Sequence, residues 1–385
     1  MSQENNQNEK QEKENMEEEN AEQKQDSQKD SGRGDFSSFT KEDKIGLVIV
    51  ALALIALFAV PDHIAGIFEA MFESAKGVAI DVFIMGDVGI AIIVSVMTGR
   101  VLERLGFTDA LLRIFIPYAR KIGVHTSVIV PSVYNILGDI NAAGRIAGPV
   151  LEKGNATLDE KKIAICTMVQ SQQSFSTLML GLLAFSIAGI NSFWIVVIAV
   201  FGPLVVVPLL LSKTIWRDTR ALELKEMPKF TPKTAPLPTI FGGAKEGAEL
   251  LFLLIIPAVA VVFAIIGALE YIGIWGPFEE FLVVALDSLS IHPDTGITSI
   301  VAAPTLAMAQ LRDVAAEIDP ALVIGSFVLA SSGFPLSVVF GQVPAIWAEV
   351  AGISEKDAIK ASVIGVIMRF ITAAILALIL TPLLV

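Results

Sequence analysis

Long apolar runs alternate with short polar segments along most of this chain. Seven of these runs predict membrane-crossing helices, because about 20 helical residues cross the hydrocarbon core of a bilayer. They cover residues 45–60, 78–98, 163–190, 193–211, 250–269, 321–346 and 361–385. Hydrophobic residues make up 54% of the sequence, which suits a lipid environment better than water. The pattern therefore predicts an all-α polytopic membrane protein with about seven transmembrane helices.

The first 43 residues differ from everything that follows. They carry 13 Asp and Glu against 6 Lys and Arg, which is −7 of the total charge of −12. With almost no large apolar residue before Phe36, this segment cannot bury enough surface to offset the entropy of ordering. We expect a disordered acidic tail over 1–43, followed by a first transmembrane helix and loop over 44–76. The tail has neither the basic start nor the short apolar run of a signal peptide.

The membrane part contains one order of features twice. An acidic residue and a closing glycine end an apolar helix in VLERLG (101–106) and again in ALEYIG (268–273). An amphipathic stretch follows in both copies, at 107–121 and 274–290. Next comes a glycine eight residues before a proline, which is Gly123 with Pro131 in the first copy and Gly296 with Pro304 in the second. Short polar-interrupted segments come after it, and then a polar stretch within an apolar run, at 170–178 and 330–338. Such a recurrence predicts two copies of one structural unit.

Positive charges orient the two copies in opposite directions. Residues 100–121 contain five Lys and Arg, whereas residues 270–292 contain none. Cytoplasmic loops are the ones enriched in Lys and Arg, so the matching loops are expected on opposite sides of the membrane. The segment 213–245 holds seven Lys and Arg and four prolines, which predicts an extended cytoplasmic linker. We expect inverted-topology repeats over 77–212 and 246–385, with a cytoplasmic N-terminus, in the plasma membrane.

Two polar segments are typical of re-entrant helical hairpins. Irregular backbone at membrane depth persists only inside protein or beside a water-filled cavity. Residues 123–151 and 293–317 are too polar and too interrupted for helices that face lipid. Their candidate substrate-binding residues are Asn135, Asp139, Asn141, Gln310 and Asp313.

Further polar clusters interrupt the apolar runs that follow each hairpin. They hold the candidate substrate-binding residues Gln172, Gln173, Ser174, Ser331 and Ser332. Amide and hydroxyl groups both donate and accept, which suits a neutral polar solute. Taken singly, each could equally join neighbouring helices by hydrogen bonds. Asp139 and Asp313 could couple a proton or Na⁺, or each could pair with a nearby arginine, Arg145 or Arg312.

The sequence carries no pattern of a catalytic or ATP-hydrolysing site. Its single cysteine, Cys166, and three scattered histidines form no metal-binding motif, and no P-loop or GxSxG is present. We therefore expect no enzyme activity, no metal site and no cofactor other than a coupling ion, H⁺ or Na⁺. The expected partners are a small polar solute and the lipid bilayer, without nucleic acid. The sequence is compatible with a homo-oligomer as well as with a monomer.

At the level of motifs the chain resembles a known family. The stretch GGAKEGAELLFLLIIPAVAVVFAIIGALE (242–270) is similar to the start of a spore maturation protein B-like unit. Residues 86–189 look like the companion A-type unit. Both belong to the nucleoside recognition, or Gate, family, and the resemblance covers roughly residues 80–385. The family is also found within concentrative nucleoside transporters and in the membrane part of the ferrous iron transporter B. Here a GTPase domain is missing and cysteine is sparse, which disfavours iron.

The resemblance implies a transporter, with nucleosides as one substrate class. The leading hypothesis is a secondary-active permease, coupled to H⁺ or Na⁺, for a small polar solute that could be nucleoside-like. The alternatives are a metal-ion permease of the ferrous-iron type and a non-transporting membrane scaffold of the spore-maturation kind. A scaffold would leave the hairpin polar groups fully paired, without a cavity between the repeats.

Overall fold

The computed structural model describes residues 40–138, 140–222, 229–333 and 335–384, and the chain divides into two compact units, Met1–Ala65 and Gly66–Val385. Regular structure in the described residues is helical throughout. Helix α1 (Lys41–Ala59) begins at a capping box, in which the Thr40 hydroxyl accepts from the Asp43 N–H and the Asp43 carboxylate accepts from the Thr40 N–H. The helix thus starts just inside the predicted tail. The disorder predicted for residues 1–39 lies outside the described part.

The first repeat is a series of helices interrupted at the positions where the sequence is polar. Helix α2 (Pro61–Lys76) leads into it through a π-helical turn, Gly77–Ile84. The helices that follow are α3 (Asp87–Arg104), α4 (Phe107–Ile122), α5 (Val130–Asn135), α6 (Ile140–Lys153), α7 (Leu158–Gln170), α8 (Phe175–Ile187), α9 (Ser192–Val196) and α10 (Gly202–Lys213). A π-helical turn, Val197–Phe201, joins α9 to α10.

The second repeat has the same order of elements. Its helices are α11 (Pro236–Glu249), α12 (Ile256–Tyr271), α13 (Trp275–Ser288), α14 (Pro293–Val301), α15 (Pro304–Val314), α16 (Pro320–Ala330), α17 (Val343–Ala351) and α18 (Glu355–Leu384). π-helical turns precede α12 (Leu250–Ile255) and α17 (Val338–Gln342). Four of the eight begin at a proline, because proline lacks the N–H that the first helical turn leaves unpaired. One of these helices, α11, begins at Pro236, so the last part of the segment 213–245, which was predicted to be an extended linker, is helical.

Each repeat thus contains a hairpin and then a broken helix. The hairpins are α5 with α6 and α14 with α15, and the broken helices are α7 with α8 and α16 with α17. We call residues 171–174 the first break and residues 331–333 with 335 the second break. Packing between the repeats is reciprocal, since α8 packs against α15 and α17 packs against α6. The broken helix of each repeat therefore packs on the hairpin of the other.

The all-α polytopic membrane fold is confirmed. Three helical stretches in the described residues, Ser192–Lys213, Pro236–Tyr271 and Glu355–Leu383, are long and apolar enough to cross a bilayer, and Lys41–Ala59 with Pro61–Ile84 adds a fourth if the pair forms one bent span. The predicted span 78–98 is interrupted between Ile84 and Asp87, and the predicted spans 163–190 and 321–346 are each divided by one of the two breaks. Their polar residues take the backbone out of the helix, so the number of unbroken spans is smaller than the number of apolar runs.

A glycine stripe joins the opening helices of the two repeats. Helix α11 packs along α3, with Gly243 against Met97 and Gly247 against Ile93. A Cβ added at Gly247 would lie 2.8 Å from the Cα of Ile93, so the two backbones approach as closely as glycine permits. We call this contact the glycine seam. At its end, Arg100 donates to the carboxylates of Glu103 and Glu246.

Candidate functional site

The first break leaves helical geometry at Ser171 and regains it at Phe175. Ser171 is extended, at φ −81° and ψ 170°, while Ser174 takes a left-handed φ of 58°. A positive φ is uncommon for serine and persists where the surroundings hold it. Here the Ser174 N–H donates to the carbonyl of Asn135 (3.1 Å), and the Ser174 hydroxyl caps α8 by accepting from the Thr177 N–H (3.3 Å). The hairpin and the break therefore fix each other.

The two breaks cross and exchange backbone hydrogen bonds. The Gln173 N–H donates to the carbonyl of Ser331 (2.8 Å), and the Gly333 N–H donates to the carbonyl of Val169 (3.0 Å). Backbone groups freed by the loss of helix in one repeat are thus satisfied by the other repeat, as the lack of water in a membrane requires. The crossing joins the two repeats at the centre of the fold.

Several amides beside this crossing retain unused hydrogen-bonding atoms. Gln172 is fully buried, and its Nε2 donates to the carbonyls of Gln173 (3.0 Å) and Ser174 (3.1 Å). The Oε1 atoms of Gln172 and Gln173, and both amide atoms of the buried Asn135, have no hydrogen-bond partner among the described residues. Buried amides are usually paired, so this group of free acceptors and donors marks a place where a further polar partner would bind.

A cavity of about 790 Å³, including its open mouth, lies beside the crossing and between the repeats. One wall is apolar and comes from the opening span of the second repeat, with Leu250, Leu254 and Val259. The polar part of the lining consists of Asn141, Gln173, Ser174, Ser176, Thr177, Thr305, Ser337 and Gln342. These eight side chains come from both repeats and carry no formal charge. Such a lining, apolar on one side with a few convergent polar groups, is typical of a small-molecule site.

The starts of several helices meet at the cavity. Its lining includes residues from the first turns of α6, α8 and α15 (Ile140, Ser176 and Pro304). The starts of helices present unpaired N–H groups and a partial positive charge. Hydrogen bonds tie the polar wall together, since the Thr177 and Thr305 hydroxyls lie 3.3 Å apart and Asn141 Nδ2 donates to Gln342 Oε1 at 2.9 Å. Both bonds connect one repeat to the other.

The ten predicted binding residues occupy different surroundings. Asn141, Gln173 and Ser174 line the cavity, while Asn135 and Gln172 lie buried beside the first break. Ser331 and Ser332 are buried and donate to the carbonyls of Val328 (3.0 Å) and Leu329 (2.7 Å) in the preceding turn. Gln310 lies partly buried on α15, and Asp313 is exposed and paired with Arg312 (2.7 Å). Neither of these two is among the lining residues. Asp139 lies outside the described residues.

Two kinds of residue near the site were not among the predicted ones. Thr305, Ser337 and Gln342 line the cavity from the second repeat, and Arg369 of α18 is buried behind the second break. A sequence signal existed for Arg369, because it is the one charged residue between Lys360 and the end of the chain, within an apolar run. The described residues contain no group of three His, Cys, Asp or Glu that could hold a metal ion.

Comparison with known proteins relates this architecture to solved structures. No family model matches the chain, and no curated protein matches it. The structure of CNTnw in an inward-facing substrate-bound state has 14% identity to this chain and a TM-score of 0.54, covering 88% of this chain and 86% of that one. This chain shares its fold with CNTnw, a concentrative nucleoside transporter.

Other conformations of CNTnw match equally well. A doubly substituted variant in an outward-facing state has 15% identity and a TM-score of 0.53, covering 90% of this chain and 88% of that one. A variant in an intermediate state has 14% identity and a TM-score of 0.54, covering 88% of each chain. At these identities the likeness establishes the fold. The Gate resemblance stays an expectation, since no family model matches.

Proposed function

We propose that this protein is a secondary-active permease that carries a small polar solute, with the cavity between the repeats as its solute site. The observation that carries the proposal is the uncharged polar lining, which both repeats contribute beside two broken helices. Amides and hydroxyls can match the donors and acceptors of a neutral solute such as a nucleoside. The neighbours with this fold are nucleoside transporter structures, which supports that solute class. A non-transporting scaffold would instead have its hairpin polar groups fully paired, without a cavity between the repeats.

The proposal includes the orientation of the chain in the plasma membrane. The N-terminus and the Lys-rich linker face the cytoplasm, and the two hairpins enter from opposite sides. Inverted repeats of this kind allow a central site to open alternately to either side, driven here by a gradient of H⁺ or Na⁺. The orientation is tested by cysteine labelling in a Cys166→Ser background, at Lys121→Cys and Glu280→Cys. Labelling of both positions from the same side would overturn the inverted arrangement.

The solute site is tested by binding and uptake. Purified protein is screened by thermal shift against nucleosides, nucleobases, organic anions and divalent metals, and hits are measured for uptake into proteoliposomes under an imposed H⁺ or Na⁺ gradient. Gln173→Ala is expected to weaken solute binding roughly five-fold or more, since it removes a hydrogen bond at the cavity wall. Asn141→Ala should act in the same direction.

The matched control for Gln173 is a glutamine three positions earlier in the chain. Gln170 is buried, does not line the cavity, and donates from Nε2 to the Thr372 hydroxyl at 3.3 Å. Gln170→Ala should lower stability and leave the affinity of the folded protein unchanged. If Gln173→Ala behaves like Gln170→Ala, the cavity is not the solute site. If no solute stabilises the protein and no gradient drives uptake, the scaffold alternative is favoured.

A further inference from the structure

Arg369 is a fully buried cation in the middle of the last membrane helix. Its exposed fraction is 0%, and no other charged residue follows Lys360 in the chain. A charged side chain at membrane depth is costly, and such residues face the protein interior and find partners there. The permease cavity does not account for Arg369, because the lining residues do not include it.

The guanidinium is held by three oxygen atoms, two from the C-terminal end of α16 and the residue after it, and one from the π-helical turn Val197–Phe201. Nε donates to the carbonyl of Val328 (2.6 Å), Nη1 to the carbonyl of Ala199 (3.1 Å) and Nη2 to the hydroxyl of Ser331 (2.5 Å). Among the described residues no carboxylate lies within ion-pair distance of it, whereas Arg100 is paired with Glu103 and Glu246 and Arg312 is paired with Asp313. The positive charge of Arg369 is therefore balanced by the dipoles of neutral groups.

These oxygens are available because both helical segments are irregular at this point. Val328 lies in the last turn of α16, whose final carbonyls have no donor within the helix. Ala199 lies in the π-helical turn Val197–Phe201, where the regular pattern of backbone hydrogen bonds is disturbed. The end of α16 also carries the partial negative charge of the helix dipole. Helix ends and unwound carbonyls of this kind are the groups that hold monovalent cations in transporters with broken helices.

The equivalent end in the first repeat is built differently. Helix α7 ends at Gln170, and no lysine or arginine donates to the carbonyls of its last turn in the described residues. Those carbonyls accept instead from neutral groups, for example Val169 from the Gly333 N–H and Met168 from the Ser171 hydroxyl (2.9 Å). The fixed positive charge is present at one break and absent at the other.

We propose that Arg369 is a tethered cation that permanently fills, at the second break, the place that a bound cation would otherwise take. It acts as a positioning residue: it holds Ser331, whose carbonyl accepts from the N–H of Gln173 in the cavity wall. The second repeat then has no vacancy for a mobile cation at this position. A consequence that rests on the proposed function is that the cation gradient acts through another part of the molecule.

The first experiment is a chemical rescue of stability in detergent-solubilised protein. Arg369→Ala should lower the melting temperature by about 5 °C or more, since it leaves buried carbonyls without donors. Methylguanidinium at a few millimolar should then raise the melting temperature of this variant by about 2 °C or more, because a ligand that binds only the folded state stabilises it. The wild type should not respond. The control is Arg312→Ala, which removes a partly exposed arginine paired with Asp313 and should not respond either.

The second experiment separates the effect of the positive charge from that of the side-chain volume, and it does not require Arg369→Ala to fold. Arg369→Lys keeps the positive charge, Arg369→Gln keeps polar character, and Arg369→Met keeps much of the volume. The proposal requires Lys to be the most stable of the three. It also requires the melting temperature of Arg369→Gln to rise more than that of the wild type when NaCl replaces choline chloride at equal ionic strength, because a vacated position can bind Na⁺.

The outcomes separate this proposal from the proposed function. The tethered-cation proposal would be overturned if Arg369→Met were as stable as the wild type. It would also be overturned if methylguanidinium raised the melting temperature of Arg312→Ala as much as that of Arg369→Ala. A folded Arg369→Ala that does not respond to methylguanidinium would overturn it as well. None of these measurements uses transport, so a failure to find a transported solute leaves them unaffected. In a transporting protein, Arg369→Gln should in addition change the Na⁺ dependence of uptake, which a purely structural arginine would not do.

Discussion

Two of the interfaces between the repeats differ in character. The glycine seam between α3 and α11 is close-packed, with the Cα of Ile93 2.8 Å from the position a Cβ would take on Gly247. The crossing of the two breaks is polar and opens into a cavity, with unused amide atoms at Asn135 and Gln172. The seam is closed by backbone contact, whereas the crossing has irregular backbone and leaves a cavity beside it. One fold thus separates cohesion from binding.

The largest expected effect is at the glycine seam. Gly247→Leu would force the backbones of α3 and α11 apart, because the new side chain meets the main chain of Ile93 rather than a movable side chain. We expect a loss of about 3 kcal/mol or more in stability. The measurement is thermal unfolding in detergent together with size-exclusion chromatography. Gly242→Leu is the matched control, since nothing lies within 4 Å of a Cβ there and the protein should remain stable. Equal stability of both variants would refute the close-packed seam.

A second prediction compares the two breaks through equivalent serines. Ser331 is the first residue after α16, and its hydroxyl accepts from Arg369. Ser171 is the first residue after α7, and among the described residues its hydroxyl bonds only to the carbonyl of Met168. Hydrogen bonds to charged groups are worth more than neutral ones. Ser331→Ala should therefore cost about 2 kcal/mol and Ser171→Ala about 0.5 kcal/mol. The check is chemical or thermal unfolding of both variants. The reverse order would show that the first break is the more strongly held of the two.

A third prediction concerns the polar bond across the cavity. Asn141 Nδ2 donates to Gln342 Oε1, so the hairpin of the first repeat is coupled to the broken helix of the second. A double-mutant cycle with Asn141→Ala and Gln342→Ala should give a coupling energy of about 1 kcal/mol. The cycle of Asn141→Ala with Gln170→Ala, which share no bond, should be additive. A coupling near zero in the first cycle would mean that the cavity wall is not braced between the repeats.

The smallest effect is expected outside the membrane, at the start of α4. The carboxylate of Asp109 accepts from the Thr231 hydroxyl (2.5 Å) and from the N–H groups of Phe230 (2.8 Å) and Thr231 (3.3 Å). Partial burial acts to raise the pKa of Asp109, but these hydrogen bonds outweigh it and leave the pKa below its ordinary value. Its contribution to stability is therefore present above the unfolded-state pKa and is lost as the pH falls through the folded-state pKa.

The measurement is the melting temperature as a function of pH. At neutral pH the melting temperature of the wild type should be slightly higher than that of Asp109→Asn. This difference should disappear on acidification below about pH 4. Thr231→Val removes one of the three hydrogen-bond donors to Asp109, so its melting temperature at neutral pH should lie between those of the wild type and Asp109→Asn. A margin that is independent of pH would mean that the charge of Asp109 plays no part in holding this segment to α4.

Much of the fold could be predicted from the sequence because the membrane imposes a simple rule. Apolar runs such as 193–211 and 250–269 form unbroken spans, since a helix satisfies its own backbone in hydrocarbon. The same rule located the hairpins, whereas residues 163–190 were predicted as one span and the first break emerged only from the structure. Residues such as Pro293 and Pro304 begin helices because of their missing N–H. Each of these inferences depends on neighbours in the chain.

The direction of each polar side chain was decided only by the tertiary structure. Gln172 and Gln173 are adjacent, yet the first turns inward to carbonyls of its own break and the second lines the cavity. Ser331 and Ser332 bond to the turn before them, and Ser337, in the helical turn that follows the second break, lines the cavity instead. Within a break no fixed period relates position to orientation, and some of the contacts that hold the backbone there come from the other repeat, such as the bond from the Gln173 N–H to the Ser331 carbonyl. The role of Arg369 follows for the same reason, since its acceptors lie 41, 170 and 38 positions away along the chain.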